Sequence, residues 1–162
     1  ECLLQDKRVQ ILEIVSPLAP LPEPLTDAAD RLIQLREYPS FPFSRAFDAA
    51  VGVAGYNSFH EQVLGIIPTL FVPNEAAEMD SQLTRAHWAE VHGMGLCLRA
   101  RHGVGAIRTQ VARLLDDDFR AACALRMSRL PQAQGAREIA EFVEDYSRMI
   151  RTDRWPKDAY PR

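Results

Sequence analysis

The sequence predicts an α/β domain with a parallel sheet and helices on both of its faces. Short apolar segments rich in β-branched residues alternate along the chain with stretches whose apolar residues recur at helical spacing. Strands that alternate with helices need crossover connections, and such connections produce a parallel sheet covered on both sides. The length of 162 residues suits one compact domain of this kind.

Five segments of the chain are predicted to be strands. They are short and apolar, and most are bounded by proline or glycine. In chain order they are residues 9–15, 31–37, 49–55, 69–74 and 95–100. The third, AAVGVAG, is small and apolar throughout, which is typical of a strand buried on both faces of a parallel sheet. We therefore expect it to be buried inside the sheet.

Helices are predicted between and after these strands. A proline-rich loop, residues 16–30, connects the first two strands and contains no regular structure before Ala28. A helical turn is expected before the third strand, and longer helices follow it where apolar residues recur every three or four positions. These segments are residues 43–48, 58–65, 79–92, 104–116, 119–130 and 136–151.

Composition and charge exclude several classes of protein. A net charge of −3 and an isoelectric point near 5.8 argue against a general nucleic-acid binder, which normally carries an excess of basic residues. The three cysteines have no ligand-like spacing, so we expect reduced thiols in a cytosolic protein. No apolar run approaches the roughly 20 residues of a membrane span. Because the chain begins Glu-Cys-Leu-Leu, we expect a fragment of a longer protein.

A glycine and a polar cluster end the third predicted strand. The stretch GYNSFHE begins at Gly55, which would allow close backbone approach and an unusual φ angle. Asn57 or Ser58 would cap the following helix, whose free N–H groups favour a phosphate or another anion. Glu61, about one turn further on, is placed to accept hydrogen bonds from the vicinal hydroxyls of a ribose. The local pattern fits an ordinary capped helix with a solvated glutamate equally well.

A second polar cluster follows the fourth predicted strand, which ends at Pro73-Asn74. Three side chains that can form hydrogen bonds lie near the start of the next helix, namely Asp80, Gln82 and Arg85. Consecutive strands of such a sheet usually neighbour one another, so this cluster would lie beside the first. Aspartate and glutamine at this edge can hold the hydroxyls of a sugar. On the residue pattern alone, the two clusters indicate a site for a phosphate-like ligand.

Four motifs, taken in order, resemble the donor-binding half of GT-B glycosyltransferases. They are GYNSFHE, GIIPTLFVPN, D-S-Q-x-x-R-A and the G-x-G-L of residues 93–96. The similarity is to the family 28 type, which includes the MurG-like N-acetylglucosaminyltransferases, and it extends from residue 31 to about residue 145. It implies that this chain is the carboxyl-terminal member of two facing Rossmann-like domains, the one that binds a UDP-sugar.

The resemblance also implies roles for individual residues. Gly55, Asn57 and Ser58 would line the donor diphosphate, and Glu61 would hold the ribose hydroxyls. The transferred sugar would lie against the second cluster, on Asn74, Asp80 and Gln82. The uracil would lie near the end of the second strand, at Arg36, Glu37 and Tyr38. In this family an acceptor hydroxyl attacks the anomeric carbon with inversion, UDP leaves, and neither a metal nor another cofactor is needed.

The same resemblance predicts how the chain is organised and where it acts. Residues 1–150 would form the nucleotide-sugar-binding domain, without its first strand, and residues 151–162 a carboxyl-terminal tail. The acceptor site and the catalytic base would belong to an amino-terminal domain, so this chain alone would not catalyse transfer. We expect a cytoplasmic enzyme, and a lipid acceptor would place it at the inner face of the membrane.

Two other functions remain open on the sequence. The chain could be half of an enzyme similar to UDP-GlcNAc 2-epimerase, which shares the two-domain architecture and binds UDP through a glutamate and a serine. Alternatively, it could be a non-catalytic subunit of a split glycosyltransferase. The residues of the second cluster are compatible with glucose, N-acetylglucosamine or another hexose.

Overall fold

The structure, a computed structural model, describes residues 2–20 and 30–151. Within these residues five short parallel strands form two sheets. The first sheet pairs β1 (Ile11–Val15) with β2 (Leu32–Arg36). The second has the order β3 (Ala50–Gly52), β4 (Thr69–Phe71) and β5 (Gly95–Cys97). The α/β class and the parallel pairing predicted from the sequence are confirmed.

Five α-helices and a 3-10 helix occupy the predicted helical segments. The 3-10 helix spans Phe41–Ala46 and precedes β3. The α-helices are α1 (Tyr56–Leu64), α2 (Gln82–Val91), α3 (Val104–Leu114), α4 (Asp117–Met127) and α5 (Gly135–Arg151). Observed and predicted ends of strands and helices agree to within three residues. Of the predicted loop between β1 and β2, residues 21–29 lie outside the described part, as do residues 152–162 of the predicted tail.

Helices pack on both faces of the three-stranded sheet. Adjacent residues of a strand point to opposite faces, and β4 presents apolar side chains to both of them. Leu70 of β4 joins a buried cluster with residues of β5 and of α3; its members are Leu70, Leu96, Leu98, Val111 and Leu114. The next residue, Phe71, instead lies 5.2 Å, between ring centroids, from Phe59 of α1. The central strand β4 is therefore covered by α3 on one side and by α1 on the other. Each such fully buried side chain stabilises the fold by about 1.5–3 kcal/mol.

The expectation that β3 is buried inside the sheet is wrong. Among the described residues, this strand pairs with β4 alone and forms the edge of the sheet opposite β5. Val51 and Val53 point to the same face and are 48% and 50% exposed. A run of small apolar residues does not reveal which strand has neighbours on both sides, because that depends on strand order. The strands that are buried throughout are β4 and β5.

The chain divides into two compact units, Glu1–Arg129 and Leu130–Arg162. The first contains both sheets, helices α1 to α4 and all the predicted site residues. In the second, the described structure includes α5, whose apolar residues recur at helical spacing on one face. Ion pairs Arg137–Glu141 and Arg148–Glu144 join positions four apart on this helix. In the described part of the chain, no helix has the length and hydropathy required to cross a bilayer.

Candidate ligand site at the carboxyl ends of β3 and β4

The amino terminus of α1 follows the carboxyl end of β3 and begins earlier than the sequence predicts. Gly55 is the N-cap residue, and Asn57 and Ser58 lie inside the first turn, so neither of them caps the helix. The φ angle of Gly55 is −59°, an ordinary value, so the expectation of an unusual φ is also wrong. Glycine ranks among the residues accepted at an N-cap because its carbonyl still accepts the first helical bond, here from Phe59 at 2.8 Å.

No side-chain hydrogen bond caps α1. The first N–H groups of an α-helix have no partner within the helix, and here no side chain at the N-cap supplies one. Asn57 is exposed and Ser58 is half-buried at this terminus. The end of the helix therefore combines backbone N–H groups, a hydroxyl and the positive end of the helix dipole, which together favour an anion.

Glu61 lies in the second turn of α1 and is half-buried. Its backbone carbonyl accepts a hydrogen bond from Gly65 at 2.8 Å, which helps to end the helix. The neighbouring His60 uses Nδ1 to contact the carbonyl of Tyr56 at 2.7 Å, so one of its ring nitrogens is engaged within the helix. Glu61 is the one acidic residue of α1.

Gln82 and Asn74 hold the loop between β4 and α2 in shape. The side-chain Oε1 of Gln82 accepts the backbone N–H of Asn74 at 3.0 Å, and Gln82 is only 3% exposed. The side-chain Oδ1 of Asn74 accepts the backbone N–H of Ala76 at 3.0 Å. Both oxygens therefore serve the loop itself. The amide Nε2 of Gln82 points towards the β3–α1 junction, where a Cβ atom on Gly55 would lie 4.0 Å from it.

Asp80 forms an ion pair with Arg85, whose side chain is 19% exposed. The Nε of the same arginine donates a hydrogen bond to the backbone carbonyl of Ala54 at 2.8 Å. Ala54 is fully buried and immediately precedes Gly55. Arg85 therefore connects helix α2 to the turn between β3 and α1. The link was not predicted from the sequence, although the position of Arg85, three residues after Gln82 on the same helix, was the available signal.

The structure brings the residues expected to hold the sugar next to the turn at Gly55. Arg85 bonds the backbone beside Gly55 and pairs with Asp80, while Gln82 reaches both Asn74 and the neighbourhood of Gly55. The segment expected to hold uracil follows β2, in the other sheet. There Arg36 donates to the carbonyl of Ala19 at 2.8 Å, Glu37 is half-buried and Tyr38 is 77% exposed. Arg36 is therefore bonded to the loop that follows β1 and not to α1.

A third loop, after β5, contacts the residue that follows Asn74. Arg99 donates to Glu75 from Nε at 2.9 Å and forms a second, shorter contact through Nη2. This hydrogen-bonded guanidinium lowers the pKa of Glu75 below its usual value. The pair ties the β4–α2 loop to β5 and leaves Glu75 ionised at neutral pH. Within the described residues, no group of three or more His, Cys, Asp or Glu side chains could hold a metal ion.

Comparison with known proteins identifies the fold. No protein-family model matches this chain, and no curated protein matches it. Among solved structures, spinosyn forosaminyltransferase SpnP is 19% identical, with a TM-score of 0.65 and 90% of this chain covered. Spinosyn rhamnosyltransferase SpnG is 20% identical (TM-score 0.62, 86% covered), and the calicheamicin glycosyltransferase CalG4 is 21% identical (TM-score 0.56, 83% covered).

The chain has the fold of half a GT-B enzyme. The matched region makes up 36% of SpnP, 38% of SpnG and 32% of CalG4, so the chain spans about a third of the length of these glycosyltransferases. Identities near 20% establish a common fold. The parallel strands and the helices on both faces of β4 are the features that this fold requires.

Proposed function

We propose that this chain is the donor-binding half of an inverting glycosyltransferase of the family 28, MurG-like type, which transfers a hexose from a UDP-sugar to an acceptor hydroxyl. The observation that supports this most strongly is the juxtaposition of two loops at the carboxyl edge of β3 and β4. One presents the N-terminus of α1, which no side chain caps, and the other presents Asp80 and Gln82. In open α/β sheets, ligands bind at this edge.

The diphosphate would bind at the N-terminus of α1. Backbone N–H groups there and the hydroxyl of Ser58 would donate to phosphate oxygens, and the helix dipole would contribute about 0.3–2 kcal/mol. Asn57, exposed at the same terminus, supplies a further amide donor. Glu61 has the acceptor oxygens that two vicinal ribose hydroxyls need. The uracil would lie near the end of β2, beside Arg36, Glu37 and Tyr38.

The sugar would bind to side-chain atoms of Asp80 and Gln82 that form no bond within the β4–α2 loop. The ion pair with Arg85 engages Oδ2 of Asp80, and a carboxylate with a second oxygen can still accept from a sugar hydroxyl. Asp80 is 48% exposed, which makes that oxygen reachable. Gln82 has committed Oε1 to Asn74, so it would act on the donor through its Nε2 donor alone. Asn74, at the start of the same loop, would contact the sugar from the opposite side.

In the proposed reaction the acceptor hydroxyl attacks the anomeric carbon, the bond to the diphosphate oxygen breaks, and UDP leaves with the bonding electron pair. Negative charge grows on the diphosphate as this bond breaks. Donors fixed at the N-terminus of α1 would stabilise that charge without having to reorganise, which is how such sites usually lower a barrier. The general base would come from a second domain that binds the acceptor. This chain alone would therefore bind the donor, and transfer would require the second domain as well.

Calorimetric titration of the protein with UDP tests the proposal. We expect saturable binding, and Glu61→Ala should weaken it at least tenfold because hydrogen bonds to a charged group contribute about 1.5–3 kcal/mol. Ser58→Ala should weaken it less, by a few-fold, since one neutral donor is lost. Glu138→Ala removes the same charge from the exposed surface of α5 and is the matched control.

The contribution of the base is tested in the same titration series. Titration with dTDP and GDP beside UDP shows whether the base contributes, because all three share the diphosphate. If none of the three nucleotides binds, the proposal fails. Equal affinities of the wild type and of Glu61→Ala for UDP would refute the assignment of the ribose to this side chain.

A further inference from the structure

We propose that Arg85 is a positioning residue for the diphosphate site: it fixes the turn from which α1 begins and does not itself contact the donor. The inference rests on the proposed function, since it concerns the same site. Arg85 is not among the residues that the sequence resemblance assigns to the donor.

The contacts of Arg85 use two donors, Nε and Nη2, on one edge of its guanidinium. Its Nε donates to the backbone carbonyl of Ala54 at 2.8 Å, and its Nη2 pairs with the carboxylate of Asp80. The side chain is 19% exposed, and Ala54 is fully buried. A guanidinium is planar and rigid, so two partners on different atoms determine its orientation. Asp80 thus orients the group, and the group then holds the carbonyl of Ala54.

The carbonyl of Ala54 belongs to the same planar peptide unit as the N–H of Gly55. Gly55 is the N-cap, so the orientation of this unit sets the direction in which α1 leaves the sheet. No side chain at the N-cap bonds to the helix. The side-chain bond at this turn comes instead from Arg85, which belongs to a different element, α2. Anion binding depends on where the first N–H groups point, which makes the position of this turn decisive for a diphosphate.

The position of Arg85 also links the two parts of the donor site. The same residue contacts Asp80, proposed to hold the sugar, and Ala54, which precedes the diphosphate loop. Removal of Arg85 would release both loops together. A residue that only stabilised the fold would not affect diphosphate affinity selectively, which gives the inference a sharp test.

Two substitutions of Arg85 separate positioning from direct contact. Arg85→Met removes every donor, whereas Arg85→Gln places an N–H donor at the same side-chain position as Nε and lacks the charge. Calorimetric titration with UDP should show at least a tenfold loss of affinity in Arg85→Met. In Arg85→Gln the affinity should recover to within about threefold of the wild type, because the bond to Ala54 is what matters.

Arg120→Met is the matched control. Arg120 also donates to a backbone carbonyl, that of Leu114 at 3.2 Å, also pairs with an aspartate, Asp117, and has a similarly covered side chain, 22% exposed. Its loss should lower the melting temperature as an arginine truncation does and leave UDP affinity unchanged. Amide hydrogen exchange of residues 54–60 in the free protein provides a second readout. We expect faster exchange there in Arg85→Met and not in Arg120→Met.

Each outcome bears on the inference. If Arg85→Gln binds UDP as weakly as Arg85→Met, the charge acts on the ligand directly and the positioning role is wrong. Unchanged affinity in Arg85→Met also overturns it. If the wild type itself binds no nucleoside diphosphate, the proposed function fails, and hydrogen exchange alone decides whether Arg85 holds the turn. In that case, equal exchange of residues 54–60 in Arg85→Met and the wild type overturns the inference.

Discussion

Gln82 and Asp80 each use one side-chain oxygen in a bond within the molecule. Oε1 of Gln82 satisfies the backbone N–H of Asn74, and one carboxylate oxygen of Asp80 pairs with Arg85. A buried polar group needs a partner, because leaving it unpaired costs about 1–3 kcal/mol. The bond to Asn74 therefore fixes the buried side chain of Gln82; in the proposed function its Nε2 would donate to the ligand and the second oxygen of Asp80 would accept from it.

The three cysteine thiols differ in burial, and we expect them to differ in reactivity. Burial is the main factor that raises the pKa of both Cys97 and Cys123, and the nearby carboxylate of Glu90 adds to it for Cys97. The thiolate is the reactive form, so both should react slowly with Ellman's reagent at pH 8 in the native protein. Cys2, which is half-buried, should react first. In urea all three should react.

The control for this experiment is Cys2→Ser, which should leave almost no fast-reacting thiol. Two or more fast thiols in the native wild type would contradict the burial of Cys97 and Cys123.

At the element scale, the close approach of β4 and β5 depends on a glycine. A Cβ atom at Gly95 would lie 2.7 Å from the backbone carbonyl oxygen of Thr69 and 3.1 Å from the ring of Phe71. Thr69 is paired with Gly95 in the parallel ladder, and both it and Phe71 are fully buried, so the neighbours have little freedom to move. The spacing of the two strands is therefore determined by the absence of a side chain.

Gly95→Ala should destabilise the protein by about 1–3 kcal/mol, the usual cost of overpacking a dense core. Gly105→Ala is the matched control, since no heavy atom lies within 4 Å of a Cβ there and the residue lies inside helix α3, a conformation that suits alanine. The control should leave stability unchanged or raise it by up to about 1 kcal/mol. Urea unfolding followed by circular dichroism measures both. Equal midpoints for the two variants would show that β4 and β5 can separate.

The elements could be located from the sequence better than their ends or their neighbours. Apolar spacing located the five strands and the five α-helices of the described residues because it reflects which side chains must leave water. The start of α1 was misplaced because polar side chains were expected to cap it, whereas Gly55 caps it with its backbone alone and Arg85 holds the turn from another helix. The exposure of Val51 and Val53 was not foreseeable, since it depends on which strands lie next to β3.

At the scale of the whole molecule, the core and the candidate site belong to the same compact unit. The buried cluster that spans β4, β5 and α3 lies before residue 130, and so do all the residues proposed to bind the donor. The second unit, Leu130–Arg162, contributes none of them. Binding of the donor would therefore be a property of the first unit.

A fragment that ends at Arg129 should unfold cooperatively in urea and bind UDP with an affinity within about threefold of that of the full chain. The reason is that both the core and the proposed ligand contacts are complete within residues 1–129. Urea titration and calorimetry, with the full chain measured in parallel, provide the comparison. A fragment that lacks a cooperative transition, or that folds and loses UDP binding, would contradict this division of the chain.

The sequence alone determined the α/β class, the positions of the strands and helices, and the two clusters of polar residues at strand ends, because these follow from local spacing of apolar and polar side chains. The tertiary structure decided how the clusters are used. It placed β3 at a sheet edge, engaged Asp80 and Gln82 in internal bonds, and joined α2 to the turn before α1 through Arg85. Such contacts join residues up to 31 positions apart, and only the folded chain determines which of them meet.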